Sequence, residues 1–131
     1  MFTQIKTSKA NREVVAQLTR KLSLGAENTI ARIAFTYSLS KDRKLDLTQI
    51  QDGGGKEYSK SVLFGDHFDI YLGLLCTHYE FYKTDKDIPK YIKMHIDDGL
   101  ELIDQEIKEN SNLDGFGFLI NKLNIGLTNM I

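Results

Sequence analysis

Apolar side chains that recur every three or four residues constrain this 131-residue chain more than any other feature. Pro89 fits the first turn of a helix, because the N–H it lacks would be unpaired there anyway. After it, Tyr91, Ile92, Ile96, Leu100, Ile103 and Ile107 keep helical register to about Glu109. Gly99 falls inside that register, where glycine costs about 1 kcal/mol relative to alanine. Its presence points to close packing against another element. Val14, Val15, Leu18 and Leu22 repeat the spacing in an earlier helix, with Ser8 as its N-cap and Gly25 as its left-handed stop. A second helix opens near residues 26–28 and buries Ile30, Ile33, Ala34, Phe35 and Tyr37. Arg32, at the edge of that face, calls for a carboxylate or backbone partner.

A further helix is expected from about Asp66 to Lys83, with Phe68, Tyr71, Leu72, Leu74, Leu75, Tyr79 and Tyr82 as core candidates. Apolar residues occur nearly all round it, which places it centrally or against another subunit. The fold class expected is mainly α, a compact bundle of four to five helices in a single domain, 1–131. Phe2 to Thr7 alternates in type and reads as a short N-terminal strand with Phe2 or Ile5 inward. Strand, helix, turn and helix together also describe a ribbon-helix-helix module, in which two chains pair their strands and Gln4 and Lys6 face the major groove. Asp52-Gly53-Gly54-Gly55 reads as a loop, mobile unless something binds it, because each glycine loses extra backbone entropy on ordering. Residues 110–117 break the chain again. Residues 118–131 read as a docked helix or tail, so 110–131 is expected to be an appended segment.

The composition, 41% apolar and 27% charged, is that of a soluble globular protein. The longest apolar run, Ile70 to Cys76, falls far short of the ~20 residues that span a bilayer. No secretory signal is visible, and one cysteine fits a reducing cytoplasm. The charge is unevenly spread. The first 44 residues carry nine Lys/Arg against Glu13, Glu27 and Asp42, a net +6 in a chain whose total is −1. Such asymmetry makes the phosphates of nucleic acid the first partner to consider, the alternative being a solvated basic surface. Lys6, Lys9, Arg12, Arg20 and Lys21 are the best-placed cations, lying on or beside the first helix.

Other chemistry finds little support. Gly53-Gly54-Gly55-Lys56 lacks the spacing of a phosphate-binding loop: Glu57 follows the lysine and Ile50 stands where the first glycine belongs. His67 and His78 are eleven residues apart, about 16 Å of helix, too far to share an ion. His95 has no evident ligand companion, and Cys76 reads as a small core residue. Glu57, Asp66 and Asp69 could form a metal-dependent nuclease cluster, but carboxylates at a helix start are favoured by the free amides alone. No Ser/His/Asp or Cys/His arrangement stands out, so no catalytic residue, metal or cofactor is expected.

The ordered set Ser23-Leu24-Gly25-Ala26-Glu27-Asn28-Thr29-Ile30-Ala31-Arg32-Ile33-Ala34, Ser38-Leu39, Gly55-Lys56-Glu57-Tyr58 and Leu63-Phe64-Gly65-Asp66 resembles the DndE family of bacterial DNA phosphorothioation systems. Leu74-Leu75 and His95-Ile96-Asp97-Asp98-Gly99-Leu100 fit the same pattern, and the likeness covers most of residues 8–105. Ala26-Glu27 stands where family members often carry Thr-Pro. The resemblance implies a small helical accessory protein, tetrameric and without its own sulfur chemistry. Such a protein binds duplex DNA, nicked duplex included, through surface lysines, and works with other Dnd proteins. On that basis Lys6, Lys9, Arg12, Arg20 and Lys21 are the expected DNA contacts. A protein-only scaffold is the rival expectation, supported by the acidic second half and the apolar helix around Ile70 to Tyr82.

Overall fold

Two helices, α2 (Glu27–Ser40) and α5 (Ile88–Glu109), cross at the centre and make the most extensive contact in the molecule. They touch backbone to backbone. A Cβ added at Gly99 would lie 1.9 Å from the carbonyl oxygen of Ala34, so only glycine lets the helices approach this closely. Ile30, Ala31, Ala34 and Phe35 of α2 meet Ile92, Ile96, Leu100, Ile103 and Ile107 of α5 in the core. In the computed structural model, residues 2–110, 115, 117–119 and 122 are described.

The remaining elements surround this pair. Strand β1 (Gln4–Lys6) leads into α1 (Lys9–Leu22), whose buried Val15, Leu18 and Leu22 face both α2 and α5. Ser8 caps α1, its hydroxyl accepting from the Asn11 amide at 3.3 Å. The left-handed stop is Ser23 (φ 53°), whose N–H reaches the Thr19 carbonyl, and not Gly25. Gly25 instead takes φ 126° in the turn that follows, a conformation that still favours glycine. Arg32 finds its partner in backbone: Nε donates to the Leu63 carbonyl at 2.7 Å.

After α2 the chain runs through a single 3-10 turn, Leu47–Gln49, held by a capping box from Asp46. It then forms β2 (Glu57–Ser59), α3 (Lys60–Phe64), a second 3-10 turn and α4 (Phe68–Tyr79). Strands β1 and β2 pair antiparallel, with Ile5 opposite Tyr58 and both buried. Gln4 and Lys6 share the exposed face of β1, as the alternation implies. The strand's partner therefore comes from this same chain, whereas a ribbon-helix-helix module draws it from a second chain.

Helix α4 differs from expectation. It ends at Tyr79, where Glu80 takes a left-handed conformation (φ 62°), and it buries only Leu72 and Leu75. Ile70 and Leu74 are 62% and 47% exposed, and Tyr82 lies beyond the helix at 86%. The helix packs on α2 and α3 from one side, so the central position falls to α5. Among the described residues no helix is long and apolar enough to cross a membrane. Most of 110–131 lies outside the described residues. Of that segment, Phe118 is buried against the Tyr37 ring, and Lys122 pairs with Glu106 of α5.

Gly99→Ala is expected to lower unfolding stability by about 3 kcal/mol, the upper part of the range for overpacking, because the added carbon meets backbone that cannot rotate away. A urea titration monitored by far-UV circular dichroism measures this.

Candidate nucleic-acid interface

The basic end of the molecule is built on one buried carboxylate. Asp97 of α5 is 1% exposed. Its Oδ1 accepts from the Ser8 amide at 3.0 Å and from Asn11 Nδ2 at 2.8 Å, and its Oδ2 accepts from Lys93 Nζ at 2.8 Å. A buried charge is tolerated only when partners replace its water, and here they come from α1 and from one turn earlier on α5. Lys93 also donates to the Asp52 carbonyl at 2.7 Å, which carries the tie into the glycine loop.

The loop is pinned, contrary to the expectation of mobility. Asp52 Oδ2 accepts from the amides of Lys9 (3.0 Å) and Gly54 (2.9 Å). These backbone hydrogen bonds, Gly54 first, hold its carboxyl below the usual range. Gly55 donates to the Thr7 carbonyl at 2.9 Å, and Arg12 Nη2 donates to the Gly55 carbonyl at 3.1 Å. A Cβ at Gly55 would fall 2.0 Å from the Ser8 carbonyl oxygen, so this glycine is required by the closeness of the two backbones. The stems of Lys6 and Lys9 lie beside Gly53 and Gly54.

Lys6, Lys9 and Arg12 are thereby gathered, all exposed, around the loop at one end of α1. No carboxylate pairs with any of the three among the described residues. Arg20 and Lys21 sit at the other end of α1, roughly 16 Å away along its axis. Arg20 pairs with Glu13 at 3.7 Å. The five cations read from the sequence thus form one cluster of three and a separate pair. Glu27, the acid at the entrance to α2, is paired with Lys56 at 3.3 Å. Arg43, which contributed to the N-terminal charge excess, is engaged with Asp98 at 2.6 Å.

Two further cations belong to the cluster and were missed. Lys90 and Lys93, in the first turns of α5, line a groove of about 210 Å³ with Gln4, Ile5, Lys6, Gly53 and Pro89. Their spacing, one helical turn apart just after Pro89, was visible in the sequence. Nothing there showed that β1 would lie alongside.

The structure also assembles a polar network that no spacing predicted. Buried His95 lies between Ser38 Oγ (2.8 Å from Nδ1) and Tyr79 OH (2.7 Å from Nε2). Ser38 donates to Asp98 Oδ2 at 2.6 Å, so its single proton is spent and His95 Nδ1–H must donate to it. Nε2 then accepts from Tyr79, whose oxygen accepts from the Leu45 amide at 2.8 Å. This assignment follows from the network. It is not a hydrolytic triad, since the carboxylate contacts the serine instead of the histidine, and the serine is enclosed. Asp66 and Asp69 are exposed at the start of α4, and neither side chain caps it by a hydrogen bond. Among the described residues no three His, Cys, Asp or Glu are grouped to hold a metal ion. Cys76 is half-buried, and burial pushes its thiol pKa up.

Comparison with known proteins adds the following. A family model described as DNA sulphur modification protein DndE matches residues 4–111. A crystal structure of DndE from Escherichia coli B7A, described as involved in DNA phosphorothioation modification, superposes with a TM-score of 0.62 at 18% identity, covering 79% of this chain and 98% of that one. A DndE G21/24K mutant superposes with a TM-score of 0.60 at 20% identity and the same coverage. At these identities the structural likeness is one of fold. No curated protein sequence matched the chain.

Burial, together with the neighbouring His78 and Arg43, pushes the His95 pKa down to about 4, against the opposing pull of Asp98. Below about pH 6.5 the unfolded chain binds this proton and the folded chain does not. The associated stability is full above pH 6.5 and is lost as pH falls toward 4. Between pH 7.5 and 5.0 the loss is expected to be about 2 kcal/mol. Urea midpoints of the parent and His95→Gln at both pH values measure it, and the variant should lack that increment.

Proposed function

Since this chain belongs to the DndE family of DNA sulphur modification proteins, we propose that it serves DNA phosphorothioation as a non-catalytic accessory subunit. In this reading it holds the backbone of duplex DNA, nicked duplex included, and assembles with other Dnd proteins as a cytoplasmic homo-oligomer. It needs no cofactor or metal. The observation that carries the DNA part is the cluster of Lys6, Lys9 and Arg12. Three exposed cations from β1 and α1 are held together by the loop with no carboxylate partner among the described residues. Cations packed together repel one another, and an arriving phosphate relieves that repulsion. Arg20 and Lys21, at the far end of α1, serve as outer contacts in this reading.

One observation favours a second reading, a scaffold that contacts only proteins. Ile70 and Leu74 of α4 stand exposed beside Leu39 of α2 and line a shallow groove of about 650 Å³. Large apolar side chains left in water mark protein contacts more often than nucleic-acid ones.

Salt separates the two. DNA affinity, measured by fluorescence anisotropy on intact and nicked duplexes, is expected to fall linearly with salt on logarithmic axes, by about 0.9 per phosphate neutralised. Lys6→Ala, Lys9→Ala and Arg12→Ala are each expected to lower that slope by about one contact. Absence of saturable binding at low salt would reject the DNA reading and leave the protein scaffold.

A further inference from the structure

The fold accounts for Gly55 but not for Gly53. Gly55 has no room for a side chain, as the 2.0 Å approach of the Ser8 carbonyl shows. At Gly53 an added Cβ meets nothing nearer than Lys6 Cβ at 3.5 Å, an ordinary contact, and its φ is not positive. Glycine there carries the entropy cost of a flexible residue without a packing or dihedral reason inside the molecule. Gly53 is exposed, and it forms the wall of the groove between β1 and the start of α5.

Charge points the same way. Lys6 stands on the strand side of this groove, and Lys90 and Lys93 stand on the helix side. Lys93 is committed to Asp97 and the Asp52 carbonyl. Lys90, itself exposed, pairs with half-buried Asp87 at 3.5 Å, a loose contact between neighbours on one helix turn. A lysine in the first turn also faces the positive end of its own helix, an unfavourable place for a cation. Two local costs, an unforced glycine and a lysine at a helix start, therefore meet in one basic groove.

Resting on the DNA-binding reading above, we propose that a phosphodiester backbone of the duplex lies in this groove. Gly53 lets it approach the main chain, and Lys6 and Lys90 close on it from opposite walls. Lys9 and Arg12 continue the contact along α1. The pair Arg20 and Lys21, at the far end of that helix, lies outside the main track.

The test uses the full chain and a fluorescein-labelled duplex, with Gly53→Val, Gly53→Ala, Lys90→Ala and Lys21→Ala. Gly53→Val is expected to leave the urea midpoint unchanged and to weaken binding roughly tenfold, with Gly53→Ala in between. Lys90→Ala is expected to lower the salt slope by about 0.9, and Lys21→Ala to change it less. If Gly53→Val were to unfold the protein, Lys90→Ala, an exposed truncation, still decides. DNA binding that persists with Gly53→Ala and Lys90→Ala indistinguishable from the parent overturns the groove and spares the DNA reading. A parent protein that binds no duplex at low salt overturns both.

Discussion

The Asp97 carboxylate is the contact on which the basic end of the molecule depends. Buried in the face of α5, it needs partners, and it takes them from the Ser8 amide, Asn11 and Lys93. Satisfying that charge fixes where β1 hands over to α1. The glycine loop then lies against the same turn, through Gly55 on Thr7, Asp52 on the Lys9 amide and Lys93 on the Asp52 carbonyl. Lys6, Lys9 and Arg12 are together because an internal charge was neutralised beneath them. Their own mutual repulsion would otherwise spread them apart.

What could be read in the sequence was what depends on neighbours in the chain. The helical spacings of α1, α2 and α5, the Ser8 cap and the tight packing at Gly99 all follow from residues a turn or two apart, and all are present. Gly25 was mistaken for the helix stop because propensity favours glycine in left-handed backbone, yet Ser23 takes that position two residues before the turn requires glycine. The apolar residues around α4 were legible as hydrophobic, but their number did not say that one face would be left uncovered. The glycine loop looked free because the restraints that tie it to the rest of the molecule come from residues more than forty positions away.

The site shows the same division. The basic residues of α1 were found from charge alone, whereas Lys90 and Lys93 join them only because β1 packs beside α5. Ser38, Tyr79, His95 and Asp98 come from three helices, and no spacing announces their network. Charge counting also overstated the N-terminal excess. Arg32 serves backbone carbonyls, and Arg20 and Arg43 are paired with acids. Of the N-terminal cations without an acid partner among the described residues, Lys6, Lys9 and Arg12 gather where the loop meets α1, whereas Lys21 lies at the far end of that helix and Lys41 and Lys44 follow α2.

The most direct check is amide hydrogen exchange at Ser8, Lys9 and Gly55, by NMR, in the parent and in Asp97→Ala. If the carboxylate holds strand, helix and loop as one unit, all three amides are slow in the parent. All three then speed up together in the variant, while amides in the middle of α2 and α5 stay protected. Faster exchange at Ser8 alone, with Lys9 and Gly55 unchanged, would contradict the account, because the loop would then be held independently of the buried charge.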